Sequence, residues 1–483
     1  MELAATLSMA MALVAVLVVF VLSLVVPPRG RPKALNLPPG PRGWPVFGSL
    51  GVLAGAVPPH RVLAALAARY GPLMHLRLGS YHTVVASSAE TARLVLKTHD
   101  LAFADRPPTA AGEITSYGYL GIVHTLYGPY WRMARKLCAT ELFSARRVDS
   151  FERVRALGSA EGEAFRRTLD EAFAATGAVS NVGEWVPLLG WLDVQGCARQ
   201  MKRLLELHDR FYEKIVGEHE ERRRRADAAG EFVASDLVDV LLQLAEEDRQ
   251  ESEARLTRVS VKAFIQDIIA GGTESSAVTI EWAMSELLRH PDAMAAATDE
   301  LDRVVGRRRW VTERDLPDLP YIDAVVKETL RLHPVGPLLV PHHAREDTVV
   351  AGYDVPAGAR VLVNAWAIAR DPASWPDAPD AFRPERFLGG GGAAGVDVRG
   401  AHFELLPFGA GRRICPAYDL AMKLVAAGVA SMVQGFAWRL PDGVAPEDVS
   451  MEEHVGLSTK RKVPFVAIAE PRLPAHLYDD ATD

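Results

Sequence analysis

Apolar positions fall into three kinds of pattern along the chain. Residues 3–26 carry no charge and are mostly Leu, Val, Ala and Met. As a helix they would span about 36 Å at ~1.5 Å per residue, more than a hydrocarbon core of about 30 Å. A cleaved signal peptide has a shorter apolar core of about 7–15 residues, so the pattern predicts a retained transmembrane anchor at 1–28. Beyond residue 60 the apolar positions recur mainly with helical spacing, over 60–70, 145–225, 257–305 and 320–333. Short alternating runs near 73–87, 349–363 and 463–469 predict strands, clearest in Leu73-Met74-His75-Leu76-Arg77-Leu78. The expected class is mainly α with a minor β part.

Clustered prolines within 37–45 fix φ and resist both helix and sheet. They predict a basic, Pro-rich hinge at 29–48, followed by a single domain at 49–483. The tract 220–225, with four consecutive arginines, is expected as a solvated helix end or loop, and the glycine-rich 389–395 as a mobile surface loop. A content of 49% hydrophobic and 24% charged residues excludes disorder, and a net charge of −7 argues against nucleic acid as the partner. Glu2 precedes the apolar run while Arg29, Arg31 and Lys33 follow it, which leaves the body on the cytosolic side. The endoplasmic reticulum membrane suits that arrangement, and three cysteines (Cys138, Cys197, Cys415) fit a reducing compartment rather than a disulfide framework.

One cysteine stands apart. Pro407-Phe408-Gly409-Ala410-Gly411-Arg412-Arg413-Ile414-Cys415-Pro416-Ala417 sets a thiol among two arginines and closely spaced backbone N–H groups ahead of a helix start, a setting that tolerates an anionic sulfur. A lone cysteine is ordinarily a small buried hydrophobe. The pattern Phe408-x-x-Gly411-x-Arg413-x-Cys415, however, resembles the haem-binding signature of the cytochrome P450 family of haem-thiolate monooxygenases. That resemblance implies the cytochrome P450 fold, haem b (iron protoporphyrin IX) with Cys415 as its axial ligand, Phe408 beside the sulfur, and Arg413 on a haem propionate. Family members usually carry glycine where this chain has Ala417, which predicts a tight but tolerated fit.

Three further segments extend the likeness. Glu328 and Arg331, spaced i, i+3, share a helix face; the resemblance implies that Arg386 joins them in a buried network holding the haem side of the fold. In Ile269-Ala270-Gly271-Gly272-Thr273-Glu274-Ser275-Ser276, two glycines each cost about 1 kcal/mol in a helix, so a kink, close helix packing or a ligand groove must gain from them. By resemblance the groove takes dioxygen, and Glu274 and Ser275, next to Thr273, relay protons. Trp131 and Arg135, at i, i+4, point the same way from one helix, and by resemblance bind a propionate. Arg132 and Lys136 on neighbouring faces would form a basic patch for an acidic electron donor.

No nicotinamide fingerprint is present, since Gly409-Ala410-Gly411 lacks a third glycine and opens no βαβ unit. Electrons are therefore expected from another protein, and the resemblance implies an NADPH-cytochrome P450 reductase. Phrases such as Phe103-Ala104-Asp105-Arg106-Pro107 are similar to plant A-type members of specialised metabolism, which oxidise flavonoids, terpenoids and other small lipophilic molecules. Segments 115–123, 335–340 and 454–457 are expected to meet the substrate, with an apolar wall from Val335, Leu338, Leu339 and Val340 and polar contacts or simply surface roles for His124 and His454. Two alternatives remain at this stage: a haem-thiolate isomerase or dehydratase, and a catalytically weak haem-binding membrane protein. The Gly272–Ser275 run favours the monooxygenase, because rearranging a peroxide needs no delivered protons.

Overall fold

The computed structural model describes residues 35–144, 182–186, 193, 195–229, 232–247, 255–456 and 458–479, with Val16 and Val18. The predicted anchor and most of 145–194 lie outside these. Among the described residues no helix is long and apolar enough to cross a membrane.

The longer helices are α1 (Pro59–Tyr70), α2 (Pro129–Leu137), α3 (Cys197–Ala229), α4 (Leu237–Glu247), α5 (Arg258–Arg289), α6 (Pro291–Val304), α7 (Pro320–Leu332) and α8 (Tyr418–Gly435). The expected helix over 257–305 is two helices, because Pro291 lacks an amide N–H and instead opens α6. The arginine tract lies within α3 rather than at a helix end or loop, with Arg222 paired to Asp239 at 2.6 Å.

Among the described residues ten strands are paired. Strands β1 (Leu73–Leu78), β2 (Tyr81–Ala86), β3 (His342–His343) and β6 (Arg360–Val363) form a sheet of order β1-β2-β6-β3, with β2 and β6 parallel and Thr83 opposite Arg360. Strands β4 (Thr348–Val350) and β5 (Tyr353–Val355) form one hairpin, β8 (Glu453–Val455) and β9 (Thr459–Arg461) another, and β7 (Phe436–Arg439) pairs with β10 (Ile468–Pro471). The strand expected at 463–469 is displaced to these flanking strands, since Pro464 cannot donate to a ladder.

The Pro-rich segment is more than a spacer. Pro39 accepts the His75 amide at 2.9 Å and Asn36 donates its own to Asp354 at 2.8 Å, so the chain enters the body along the sheets. The glycine-rich loop lies at the surface as expected, with residues 389, 390, 392, 394 and 395 exposed. Ala393 is buried and donates its N–H to the Arg386 carbonyl at 2.8 Å, folding the loop back on the 384–387 turn.

Two apolar cores matter for the site. In one, Ala134 of α2, Tyr212 of α3 and Leu241 of α4 pack with Val261, Phe264 and Ile265 of α5. In the other, Met284 and Leu287 of α5 pack with Leu301 of α6, Ile322 and Val325 of α7, and Val429 of α8. Helix α5 therefore belongs to both, and between them its residues 271–273 and Ala277 are exposed.

Candidate functional site

The cysteine loop is closed by the Cys415 N–H donating to the Phe408 carbonyl at 2.9 Å, directly before α8. Gly411 has φ +68°, and a Cβ there would lie 1.9 Å from the Leu96 carbonyl oxygen, so only glycine fits. The Cys415 sulfur accepts the Ala417 N–H. Burial raises the thiol pKa, while that N–H and Arg135 pull it down. Ala417 has φ −109°, a backbone conformation open to any residue. The Phe408 ring packs against the second core, 6.4 Å from Tyr418.

The two loop arginines do not serve the sulfur. Arg412 pairs with Asp100 at 3.0 Å. Arg413 donates to the Ala104 and Thr125 carbonyls, each at 2.6 Å, and lies 4.6 Å over the Trp131 ring. The cation acting on Cys415 is Arg135, one turn beyond Trp131 on α2.

Around Arg413 the protein gathers positive charge. Arg106 is buried and donates to the Val123, Val340 and Pro341 carbonyls at 3.2, 2.7 and 2.9 Å. Burial, with Arg413, lowers its pKa. Burial and the two guanidiniums hold His124 at about 4 and His342 at about 3, so both rings are neutral at pH 7, and the single His342 N–H, on Nδ1, is given to the Phe103 carbonyl at 2.8 Å. Among the described residues neither Arg106, Arg135 nor Arg413 has a carboxylate ion pair; the nearby Asp105 is paired to Arg345 at 3.3 Å. Buried cations without counter-charges are costly. A ligand carrying two carboxylates beside a metal that binds thiolate satisfies both features, which is the donor set an iron porphyrin needs. Arg106 and His342 escaped assignment in the sequence, although Arg106 sits in the Phe103–Pro107 phrase singled out there, and His124 was expected at the substrate or on the surface.

The exposed stretch of α5 holds the predicted relay. A Cβ on Gly271 or Gly272 would meet nothing within 4 Å, so close helix packing does not explain the glycines. The Ser275 hydroxyl donates back to the Gly271 carbonyl. Glu274 is held from outside its helix, by the Ser458 hydroxyl next to β9. Thr273 is exposed on the same stretch.

Glu328 and Arg331 are fully buried on α7 and meet in two hydrogen bonds of 2.7 and 2.8 Å. Arg386 adds a third at 3.0 Å and the Arg383 N–H a fourth at 2.8 Å. The remaining guanidinium N–H groups reach carbonyls of Ala369, Pro379, Asp377, Ala378 and Ala381. Both planes lie near the Trp375 ring, at 5.0 and 5.9 Å.

Of the expected substrate wall, Leu338 packs with the α1 and sheet cluster and Leu339 with the cluster around Phe403, while His454 is exposed and Leu457 lies outside the described residues. Segment 115–123 is clamped to α5 by Asp267, which accepts the Ile122 and Val123 amides on the same oxygen, Oδ2. Burial raises the Asp267 carboxyl to about 6, against the downward pull of those amides. A raised folded-state pKa means that the folded protein binds the extra proton, so stability is full below about pH 4 and falls as pH rises through about 6, by roughly 3 kcal/mol. Asp267→Asn keeps an acceptor oxygen without the buried charge. It should flatten the rise of unfolding midpoint seen on acidification from pH 7 to pH 5, whereas Asp267→Ala should lower the midpoint at every pH.

The family model described as Cytochrome P450 matches residues 38–180 and 170–466. A dimethylnonatriene synthase of Zea mays is 74% identical over 529 aligned positions, covering 99% of each chain. A flavonoid 3'-monooxygenase of Arabidopsis thaliana is 41% identical, covering 93% of this chain and 94% of that one. A zebra fish cytochrome P450 structure with abiraterone superposes with a TM-score of 0.66 at 29% identity, over 86% of this chain and 100% of the other.

Proposed function

Because the chain belongs to the cytochrome P450 family, as a plant member, we propose that it is a membrane-anchored monooxygenase acting on an acyclic terpenoid rather than a flavonoid. Family membership implies haem iron and dioxygen. The observation that carries the site assignment is the conjunction of a half-buried Cys415 with Arg106, Arg135 and Arg413, which have no carboxylate ion pair among the described residues. When bound, the haem supplies dioxygen activation, and a thiolate ligand favours O–O cleavage.

The chain's own residues divide the remaining work. Cys415 ligates the iron; a coordinated thiol is deprotonated outright, which overcomes the upward push of burial. Arg106, Arg413, Arg135, Trp131 and His124 would hold the propionates. Glu274 and Ser275 would pass protons along the stretch of α5 beside the exposed Gly271 and Gly272, with Thr273 next to them. The Glu328, Arg331 and Arg386 network locks α7 to the loop ahead of the thiolate. Exposed Arg132, Lys136 and Arg412 suit docking of an acidic NADPH-dependent reductase. The uncharged residues 3–26 support anchoring in the endoplasmic reticulum with the body in the cytosol.

The terpenoid preference rests on degree of likeness, 74% against 41%. The name dimethylnonatriene denotes a branched hydrocarbon without oxygen. An oxygenase forming such a product must discard the inserted atom in a second fragment or as water, and this chain is proposed to do the same. The test is a titration of the full-length, haem-loaded protein with farnesol and with naringenin, followed by turnover with reductase and NADPH. Farnesol should drive the ferric low-to-high-spin shift at concentrations at least tenfold lower than naringenin and be consumed with oxygen uptake. A shift and product with naringenin alone would overturn the substrate class.

A further inference from the structure

The hairpin of β8 and β9 ends in a tight turn in which the Gly456 N–H donates to the Ser458 carbonyl at 3.0 Å. Ser458 is 4% exposed and donates its hydroxyl to Glu274 Oε1 across 184 residues of sequence. We infer that Ser458 is a positioning residue, which sets the Glu274 carboxylate for proton delivery and so ties that delivery to the hairpin beside the substrate segment. The inference rests on the monooxygenase reading above.

Glu274 is half-buried on α5, beside the exposed residues 271–273, and its Oε1 takes the Ser458 hydrogen bond. The Ser275 hydroxyl does not restrain it, being committed to the Gly271 carbonyl. Ser458, by contrast, is itself anchored. Its neighbour Thr459 donates an N–H to the Val335 carbonyl at 2.8 Å, and Trp282 of α5 donates its indole N–H to the Thr459 carbonyl at 3.2 Å. Carboxylate and hydroxyl are therefore both referenced to α5. At the hairpin stem, Glu453 takes hydrogen bonds at 3.1 and 3.0 Å from His60 and Arg61 of α1, and Arg461 faces Glu281 at 3.7 Å. The chemistry of the partner also suits a relay. A hydroxyl donates to an ionised carboxylate and, by rotating, accepts from a protonated one, so the contact survives both halves of a proton transfer.

The experiment uses the full-length enzyme with reductase, NADPH and farnesol, and follows NADPH oxidation in H2O and D2O. Parent, Ser458→Ala, Ser458→Thr, Glu274→Gln and the Ser458→Ala/Glu274→Gln double variant are compared. A hydrogen bond to a charged group corresponds to about tenfold or more, so Ser458→Ala should slow oxidation about tenfold and raise the solvent isotope effect, with the farnesol spin shift unmoved. Ser458→Thr should return the rate to within about twofold. In the Glu274→Gln background Ser458→Ala should add nothing, since coupled residues are non-additive. Unchanged rate and isotope effect in Ser458→Ala overturn the inference, as does a tenfold fall that persists with Gln at 274. Failure of the underlying reading looks different: the parent itself would lack the red-shifted reduced carbon monoxide band.

Discussion

Cys415→Ser should remove the red-shifted Soret band of the reduced carbon monoxide complex entirely, and with it NADPH-driven turnover. The red shift requires an anionic sulfur that donates electron density to iron. Burial already works against the thiolate at this position, and only the Ala417 N–H and Arg135 favour it. A serine hydroxyl ionises far less readily than a thiol, so the same surroundings would leave it neutral and weakly bound. The other thiols serve as controls. Cys138 is packed in the core with Ala134 and Leu142, and burial pushes its pKa up to about 12; Cys197 opens α3. Cys138→Ser and Cys197→Ser should keep the band. Its persistence in Cys415→Ser would remove the ligand assignment.

Glu328→Ala should cost about 3–5 kcal/mol, the range for stripping one partner from a buried ion pair. Domains of ordinary stability have about 5–15 kcal/mol in total, so most of the variant should fail to accumulate folded. The reason is geometric. Glu328 accepts from both Arg331 and Arg386, and without it two guanidiniums beside Trp375 lose their only shared counter-charge. Glu328→Gln preserves shape and one acceptor but not the charge, and should fall between parent and alanine in denaturant midpoint. An unaltered midpoint in Glu328→Ala would mean that the carbonyls around the arginines suffice alone.

These two sites were legible in the sequence because each is carried by short spacings, i, i+3 on α7 and a loop of eleven residues. The group of Arg106, Arg413 and the neutral His124 and His342 was not. They lie on separate segments, and only tertiary packing shows that they share one region whose nearby acid, Asp105, is paired to Arg345. Glu274 and Ser458 were hidden for the same reason. Local composition at 389–395 gave the surface position but not the Ala393 N–H bonded back to the Arg386 carbonyl. Helix periodicity likewise ran through Pro291, although the proline itself marks where α6 starts. Charge at the cysteine loop was read from proximity in sequence, and the effective cation turned out to be Arg135 on another element.

The division of α5 between two cores has an evolutionary consequence. Its front half is packed with the elements that receive segment 115–123, its rear half with those that carry the thiolate loop. Substitutions that resize one compartment need not be compensated in the other, because the intervening turns touch little protein. Lineages can therefore diversify what they oxidise while the machinery for handling oxygen stays constant.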